Sequence, residues 1–347
     1  MRHLIARYAL WLIWLCGFYG FWALYVVGEG LWPVVVENWP MAASMAFGSY
    51  AAGSTPMGGG TVGFPILVLL FDMPASLGRD FSFAVQSIGM VSASIFIFCR
   101  RQLLAWAMLR GALLGSLFAT PLGILFFAPL VPELWVKLVF AVIWGSFGVL
   151  HLYRLREITS HDHGGDPRCP KDFRVGLMLG AVAGFAVVSV TGVGIDMLVY
   201  AALVLLSRVD LKVAIPTSVV IMAFSSVVGV VVKTLAGDWQ PGVFGNWLAA
   251  APVVALGAPL GVFVVALVGR TPTLLVVALL CIVQFVWTCA SERELLGMTG
   301  TVLALLAVLF CLGGFELLRA LGLRRARVRT GDAGMHGAPT YAGDQMV

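Results

Sequence analysis

Two stretches of this 347-residue chain place helix breakers, hydroxyl groups and one carboxylate inside otherwise apolar sequence. The first reads Ser54, Thr55, Pro56, Met57, Gly58, Gly59, Gly60, Thr61, Val62, Gly63, Phe64, Pro65; the second reads Ser189, Val190, Thr191, Gly192, Val193, Gly194, Ile195, Asp196. Hydroxyls and exposed backbone amides donate hydrogen bonds to an oxyanion without a fixed positive charge, which suits a site that must also release its ligand. Asp196 offers two chemistries. It could take up and give back a proton, since an intramembrane carboxylate is functional by default, or it could cap the start of the following half-helix.

Composition sets the solvent in which these groups work. With 60% hydrophobic residues, 11% charged residues and mean hydropathy +0.97, the chain lies far outside the range of soluble domains. Its apolar runs of about 18 to 25 residues match a helix crossing roughly 30 Å of hydrocarbon and lack the alternation of barrel strands. The class is an all-α polytopic membrane protein. The net charge of +5 records which loops stay in the cytoplasm and implies no nucleic acid. The six cysteines form no disulfide framework or zinc spacing. Residues 8–27, preceded by Arg2 and Arg7, are expected to be an uncleaved first helix, because no small-residue cleavage site follows them.

After a polar turn at 28–40, the expected order is a broken segment at 41–71 and helices at 77–99, 104–127 and 134–153. A long polar loop at 154–174 then leads to a second broken segment at 175–206 and helices at 211–235, 244–268 and 271–290. A last helix at 296–321 precedes a polar tail expected to be disordered. The two halves align: Met57 to Gly60 with Thr191 to Gly194, Ala84 to Ser87 with Ile215 to Ser218, and Thr120 to Gly123 with Ala258 to Gly261. These offsets of 130 to 140 residues suit a duplicated transport unit. Both broken segments carry small residues at every fourth position, Ser44, Gly48 and Ala52 in one and Gly176, Gly180 and Gly184 in the other, a spacing for close helix packing. The units are 1–38 (an extra helix), 39–154 (first repeat), 155–174 (cytoplasmic loop), 175–291 (second repeat), 292–322 (an extra helix) and 323–347 (tail).

Charge decides what the breaks do. If residues 41–71 crossed the bilayer, Arg100, Arg101 and the loop bearing Arg154, Arg156, Arg168, Lys171 and Arg174 would lie outside, against the positive-inside rule. A re-entrant segment brings both clusters inside and leaves Arg79, Lys233 and Arg293 on the outer face, with Lys233 interfacial. Each repeat then holds one re-entrant glycine-broken hairpin plus three transmembrane helices. Three is odd, so the repeats are inverted, and both termini lie in the cytoplasm. Non-helical backbone at membrane depth must face protein or a wet cavity. The tips are therefore expected to hold a solute between Ser54, Thr55, Gly58, Gly59, Gly60 and Thr61 of one hairpin and Ser189, Thr191, Gly192 and Gly194 of the other. Gln86, Ser87, Thr217 and Ser218 are expected beside them, with Asp196 as the proton-coupling candidate. Half-helix N-termini at the tips favour an anion; opposing C-termini favour a cation. Each hydroxyl could equally satisfy a carbonyl in its own helix.

The glycine-rich re-entrant motif followed by Pro65, the Ala-x-x-Ser step at Ala84 and Ser87, and the weaker second copy resemble the sulfite exporter TauE/SafE family over residues 39–291. The resemblance implies secondary transport of a small sulfur-containing anion, sulfite or an organosulfonate, outward across the cytoplasmic membrane. It implies no cofactor and no catalytic residue. The expected partners are that anion and the lipid bilayer, with a homodimer left open. The second copy departs from the pattern, with Asp196 where a further glycine is expected and no following proline. An anion channel and a membrane-embedded assembly factor are the alternatives. An intramembrane aspartyl protease needs Gly-x-Gly-Asp and a second aspartate at membrane depth; here Ile195 intervenes before Asp196, and Asp72, Asp80 and Asp210 fall near loop ends. No phosphate-binding loop is present. Arg110 is expected to snorkel to the inner interface, and His161, Asp162, His163 and Cys169 are expected to be a solvated loop rather than metal ligands.

Overall fold

The computed structural model describes residues 2–56, 60–159, 166–167, 169–268 and 270–335, of which 2–6, 60–61, 265–268, 270 and 328–335 by backbone alone. Nearly all of these residues are helical, and none is in a strand. Helix α1 (Arg2–Gly28) precedes a short α2 (Trp32–Glu37). The first broken segment is α3 (Trp39–Ser54) and α4 (Gly60–Pro65), the latter prolonged by a π turn at Ile66–Leu70. The first half then runs through α5 (Ala75–Cys99), α6 (Trp106–Leu122) and α7 (Glu133–Thr159). In the second half, α8 (Asp172–Val182) passes through a π turn at Ala183–Val188 into α9 (Ser189–Thr191), and α10 (Ile195–Ala201) follows, with a π turn at Ala202–Leu206. Helices α11 (Leu211–Ala236), α12 (Val243–Val268), α13 (Arg270–Ser291) and α14 (Arg293–Met335) close the chain.

Among the described residues, nine helices are long and apolar enough to cross a membrane, Asp172–Thr191 included. Two stretches differ from expectation. The polar turn at 28–40 contains α2, started by Pro33 in its first turn. Residues 323–335, expected within a disordered tail, continue α14. Leu323, Arg324, Arg325, Ala326 and Arg327 are good helix formers, and Arg325 reaches Asp172 at the start of α8 at 3.7 Å.

The duplication is visible in backbone hydrogen bonds. Phe71 N–H bonds to the Ile66 carbonyl and Met73 N–H to that of Leu67; Ser207 to Ala202 and Val209 to Leu203 repeat the pattern 136 residues later. Asp72 and Arg208, also 136 apart, both adopt positive φ (52° and 53°). In this register Ser218 is the counterpart of Ser82. The sequence pairing of Gln86 and Ser87 with Thr217 and Ser218, an offset of 131, is therefore displaced by five residues.

Each broken segment doubles back. Met45 Sδ lies where a side chain on Gly63 would start, 3.1 Å from that point, so α3 and α4 run along each other. Both ends of this hairpin rest near the first turn of α12: Asn38 packs on Gly245 and Leu77 on Gly242. Ser76 N–H donates to Glu133 at the start of α7. Both ends of the second hairpin lie at the last turns of α14, where Asp172 meets Arg325 and the Leu205 carbonyl abuts Gly322. That end also gathers Arg154, Glu157 and Ile158 from the end of α7 with Val204 and Leu205. The first hairpin thus starts and finishes beside Glu133, and the second beside Arg154, at opposite ends of α7.

Small residues permit the crossings. Helix α3 packs along α12 and α8 along α6, with Gly261 against the Tyr50 carbonyl and Gly123 against the Phe185 carbonyl as equivalent contacts. Helices α5 and α11 pair, as do α7 and α13. Prolines explain where α1 sits. Pro252 and Pro259 in α12 lack N–H groups, which frees the carbonyls of Leu248 and Ala255 four residues back. Trp22 Nε1 donates to Leu248 at 3.0 Å and Ser92 Oγ to Ala255 at 2.6 Å, while Trp11 Nε1 donates to Ser92 at 3.0 Å. The extra N-terminal helix therefore helps satisfy carbonyls that would otherwise be orphaned in lipid.

A side chain at Gly180 would lie 2.8 Å from the Ala112 Cα, whereas one at Gly313 would meet nothing within 4 Å. Gly180→Leu is expected to destabilise the purified protein by at least about 1–3 kcal/mol through forced separation of α6 and α8. Gly313→Leu is expected to leave it unchanged. Melting of both variants in detergent checks this, and equal melting temperatures would refute the crossing geometry.

Candidate functional site

The first tip forms because α3 ends at Ser54 and Thr55 leaves it extended (φ −136°, ψ 164°) ahead of Pro56, which disfavours a helical residue before it. Ser54 and Thr55 are buried, and both hydroxyls donate to the Ala51 carbonyl, at 3.2 and 2.7 Å. Gly58 and Gly59 lie outside the described residues, and Gly60 and Thr61 open α4 as backbone.

The second tip is described throughout. After Thr191, Gly192 (φ 78°) and Gly194 (φ 107°) take left-handed conformations that L side chains resist. Space excludes a side chain as well. A Cβ at Gly192 would strike the Arg79 carbonyl and lie 3.0 Å from Ser82 Cβ, and one at Gly194 would lie 3.3 Å from the Trp144 ring. Thr191 Oγ1 is within bonding distance of the Val187 and Val193 carbonyls (2.8 and 2.9 Å), and Ser189 donates to the Phe185 carbonyl.

The remaining predicted residues behave alike but do not converge. Ser87 donates to Ala84, Thr217 to Val213 and Ser218 to Ile215, each within its own helix. Thr217 also accepts the N–H of Ala105 at 3.0 Å, which ties α11 to the entry of α6. Gln86 Nε2 donates to the Ser82 carbonyl, while its Oε1 has no partner; the side chain borders a cavity of about 10 Å³ with Ser49, Met45 and Val254. Ser87 turns away, lining a separate cleft of about 510 Å³ with Trp239, Phe244 and Trp247. Arg110 is exposed, with its guanidinium 5.8 Å from the Trp106 ring. His161, Asp162 and His163 lie outside the described residues.

Two elements occupy the space between the hairpins. One turn of α5 is gripped on both sides: Phe64 of α4 packs on Gly78 and Phe81 on Gly63, while Arg79 and Ser82 meet Gly192. On α7, Phe140 and Trp144 stack at 3.9 Å between centroids, Phe64 stacks on Phe140 at 4.1 Å, and the Trp144 edge touches Gly194. A continuous aromatic column therefore links the returning arm of one hairpin to the tip of the other.

Asp196 is buried in the first turn of α10, against the backbone amides of Met197 and Gly194 and its own. Its Oδ1 has no hydrogen-bond partner. Capping amides thus serve part of the carboxylate and leave one oxygen bare, an arrangement costing about 1–3 kcal/mol or more until a proton or donor arrives.

Beside the second tip lies a charged cluster that the sequence pattern does not predict. Asp80 is wholly buried, its Oδ1 2.8 Å from Arg79 Nε and its Oδ2 3.0 Å from Lys233 Nζ; Lys233 also holds Asp238 at 2.8 Å. Gln240 N–H donates to Asp80 at 3.1 Å. Lys233, expected at the interface, is instead buried, because its position one turn before the end of α11 faces Asp80 rather than lipid. Two cations and two carboxylates make the cluster neutral, which is what a low dielectric demands. Arg79 joins the cluster through its side chain and the Gly192 contact through its carbonyl, so the ion pairs and the tip share one turn of α5.

A family model described as Sulfite exporter TauE/SafE matches residues 41–288. No curated protein and no solved structure matches.

Asp80→Asn is expected to destabilise the protein by about 3–5 kcal/mol, because Arg79 and Lys233 would keep their charges without their shared partner. Asp238, whose side chain is 62% exposed, should tolerate Asn with a loss of about 0–1 kcal/mol. Adding Lys233→Met to Asp80→Asn restores neutrality and should recover part of the loss. Thermal melting of these three variants and of Lys233→Met alone tests the cluster; a double variant less stable than Asp80→Asn by the full Lys233→Met loss would refute it.

Proposed function

Since the chain belongs to the sulfite exporter TauE/SafE family, whose members are membrane transporters of sulfur-containing anions, we propose that it exports sulfite or an organosulfonate across the cytoplasmic membrane by alternating access. The observation that carries this reading is the pair of glycine-broken hairpins at opposite ends of α7, with the second break enclosed by α5 and α7. Secondary transporters built on inverted repeats place discontinuous helices at the membrane midplane in this way. With three crossings after each hairpin the repeats are inverted, the loop at 154–174 and both termini are cytoplasmic, and the solute binds between the tips.

In the enclosed state, described above, the tip hydroxyls engage carbonyls of their own helices. Loading the site means exchanging those internal bonds for bonds to the solute: Ser54, Thr55, Ser189 and Thr191 turn their O–H groups toward the anion, and the backbone amides at Gly58 to Thr61 and Gly192 to Gly194 supply the rest. None of these donors carries a formal charge, so release needs only a return to the internal bonds. Asp196 couples the anion to a proton. A bare carboxylate repels an arriving anion across a low dielectric, and protonation removes that repulsion while making Asp196 a donor. The π turns that end both returning arms, at Ile66–Leu70 and Ala202–Leu206, are places where helices absorb local change.

Purified protein in liposomes is expected to move labelled sulfite or methanesulfonate saturably, and faster when a pH gradient drives net flux. Asp196→Asn should abolish the response to the gradient while preserving solute exchange at constant pH. Unsaturable flux at channel rates, or no flux of either anion, would overturn the transport reading. An Asp196→Asn variant still fully driven by the gradient would overturn the coupling role alone.

A further inference from the structure

Below Asp196, on the side of α10 away from the tip, a second pair of titratable groups is sealed inside the protein. His151 of α7 is fully buried, with Nδ1 2.9 Å from the Phe147 carbonyl and Nε2 3.2 Å from the Tyr200 hydroxyl. Carbonyl oxygens only accept, so Nδ1 carries the proton and donates to Phe147, and Nε2 accepts the Tyr200 O–H. Two aromatic rings flank it, Phe147 tilted by 37° at 4.0 Å between centroids and Tyr200 stacked at 5.6 Å. Tyr200 is buried too, and it stands four residues after Asp196 on the same face of α10.

We propose that His151 and Asp196 form one proton-binding unit bridged by Tyr200, loaded from the Arg154 end of α7. The inference rests on the coupling role given above to Asp196. It follows from what each group can donate. With His151 neutral, Tyr200 O–H points at Nε2. When a proton binds Nε2, the imidazolium becomes a donor on both nitrogens, and Tyr200 must accept and swing its own O–H proton away. The buried oxygen that lacks a donor one turn along α10 is Asp196 Oδ1. The imidazolium and the carboxylate then neutralise one another through the phenol. Transfer onward moves the Tyr200 proton to Asp196 and the Nε2 proton to Tyr200 oxygen, leaving neutral His151 and a protonated Asp196. No charge is created or lost in that step.

The surroundings of His151 fit a path toward one end. On its own helix, Arg154 and Glu157 follow one and two turns later; on α14, Phe315 packs on Phe147, and Glu316 and Arg319 follow it. Those four charged groups pair among themselves, Arg154 with Glu316 at 2.9 Å and Arg319 with Glu157 at 2.9 Å, with side chains 23 to 39% exposed. From α13, Cys281 lies against Gly148. The neutral, half-exposed ion cluster is thus the near source of protons, and no carboxylate within it faces His151 in an ion pair.

The test uses full-length protein in liposomes, with sulfite and methanesulfonate as probes and a pH dye inside. His151→Gln keeps a buried donor and acceptor but cannot bind the proton; Tyr200→Phe removes the bridge. Both variants are expected to retain solute exchange at equal pH within about twofold. Gradient-driven net transport should fall at least tenfold, and the pH dependence of KM should flatten. Gradient-driven transport at the wild-type level in both variants would overturn the inference while Asp196 coupling stands. Parallel loss of exchange and driven transport in both would mark the pair as packing and also overturn it. A wild type indifferent to the gradient would sink the Asp196 reading and this one together.

Discussion

Backbone groups that leave a helix at membrane depth must find their hydrogen bonds in protein, because lipid offers none and each unpaired group costs several kcal/mol. Two such breaks govern this chain. The tip at Gly192 and Gly194 lies against the Arg79 carbonyl, Ser82 and Trp144, and the end of α3 lies against Ala258 and Gly261 of α12. Every neighbouring element is placed to supply that cover. Helix α5 gives one turn to both hairpins, α7 gives an aromatic column, and α6 and α12 each line the entering arm of the opposite repeat. The same constraint reaches the two prolines of α12, whose freed carbonyls accept from Trp22 and Ser92.

Close cover requires small residues where helices cross, which is why the glycines sit where they do. Gly123 meets the Phe185 carbonyl and the Ser189 side chain, and its counterpart Gly261 meets the Tyr50 carbonyl and the Ser54 backbone nitrogen, so the crossing of α6 with the second hairpin parallels that of α12 with the first. Each hairpin is thus held by a helix from the other half. Such an exchange makes the two halves interdependent: each hairpin packs on a helix of the other repeat as well as on one of its own.

The spans, the two breaks and the duplication are legible in the sequence because hydropathy, glycine and proline act locally. Expected helix limits fall within a few residues of the observed ones for α11, α12 and α13. The charge cluster is not legible. Asp80 and Lys233 each stand near a helix end, where composition predicts an interface, and only the pairing of α5 with α11 reveals that they face each other. The register within α5 and α11 differs from the expected pairing for a related reason: an Ala-x-x-Ser match is weak, whereas the paired backbone bonds at an offset of 136 are not. Hydroxyl partners are likewise invisible, since a serine's donor is directed by its rotamer and by what packs over it. His151 and Tyr200 come from separate helices and join only through the fold.

Charge balance separates the two hairpins more sharply than their sequences do. At one end of α7, Arg79 and Lys233 offset Asp80 and Asp238; at the other, Arg154 and Arg319 offset Glu157 and Glu316. Of the buried carboxylates among the described residues, Asp80 faces two cations and Asp172 faces Arg325, while Asp196 faces none. An unpaired charge in a low dielectric is relieved by protonation or by an arriving partner. With His151 neutral, an ionised Asp196 is the one buried carboxylate among the described residues that no cation faces. The first hairpin carries no acidic residue at its break. On the transport proposed above, two halves that share a fold divide the work: both tips bind the anion, and Asp196 of the second answers its charge.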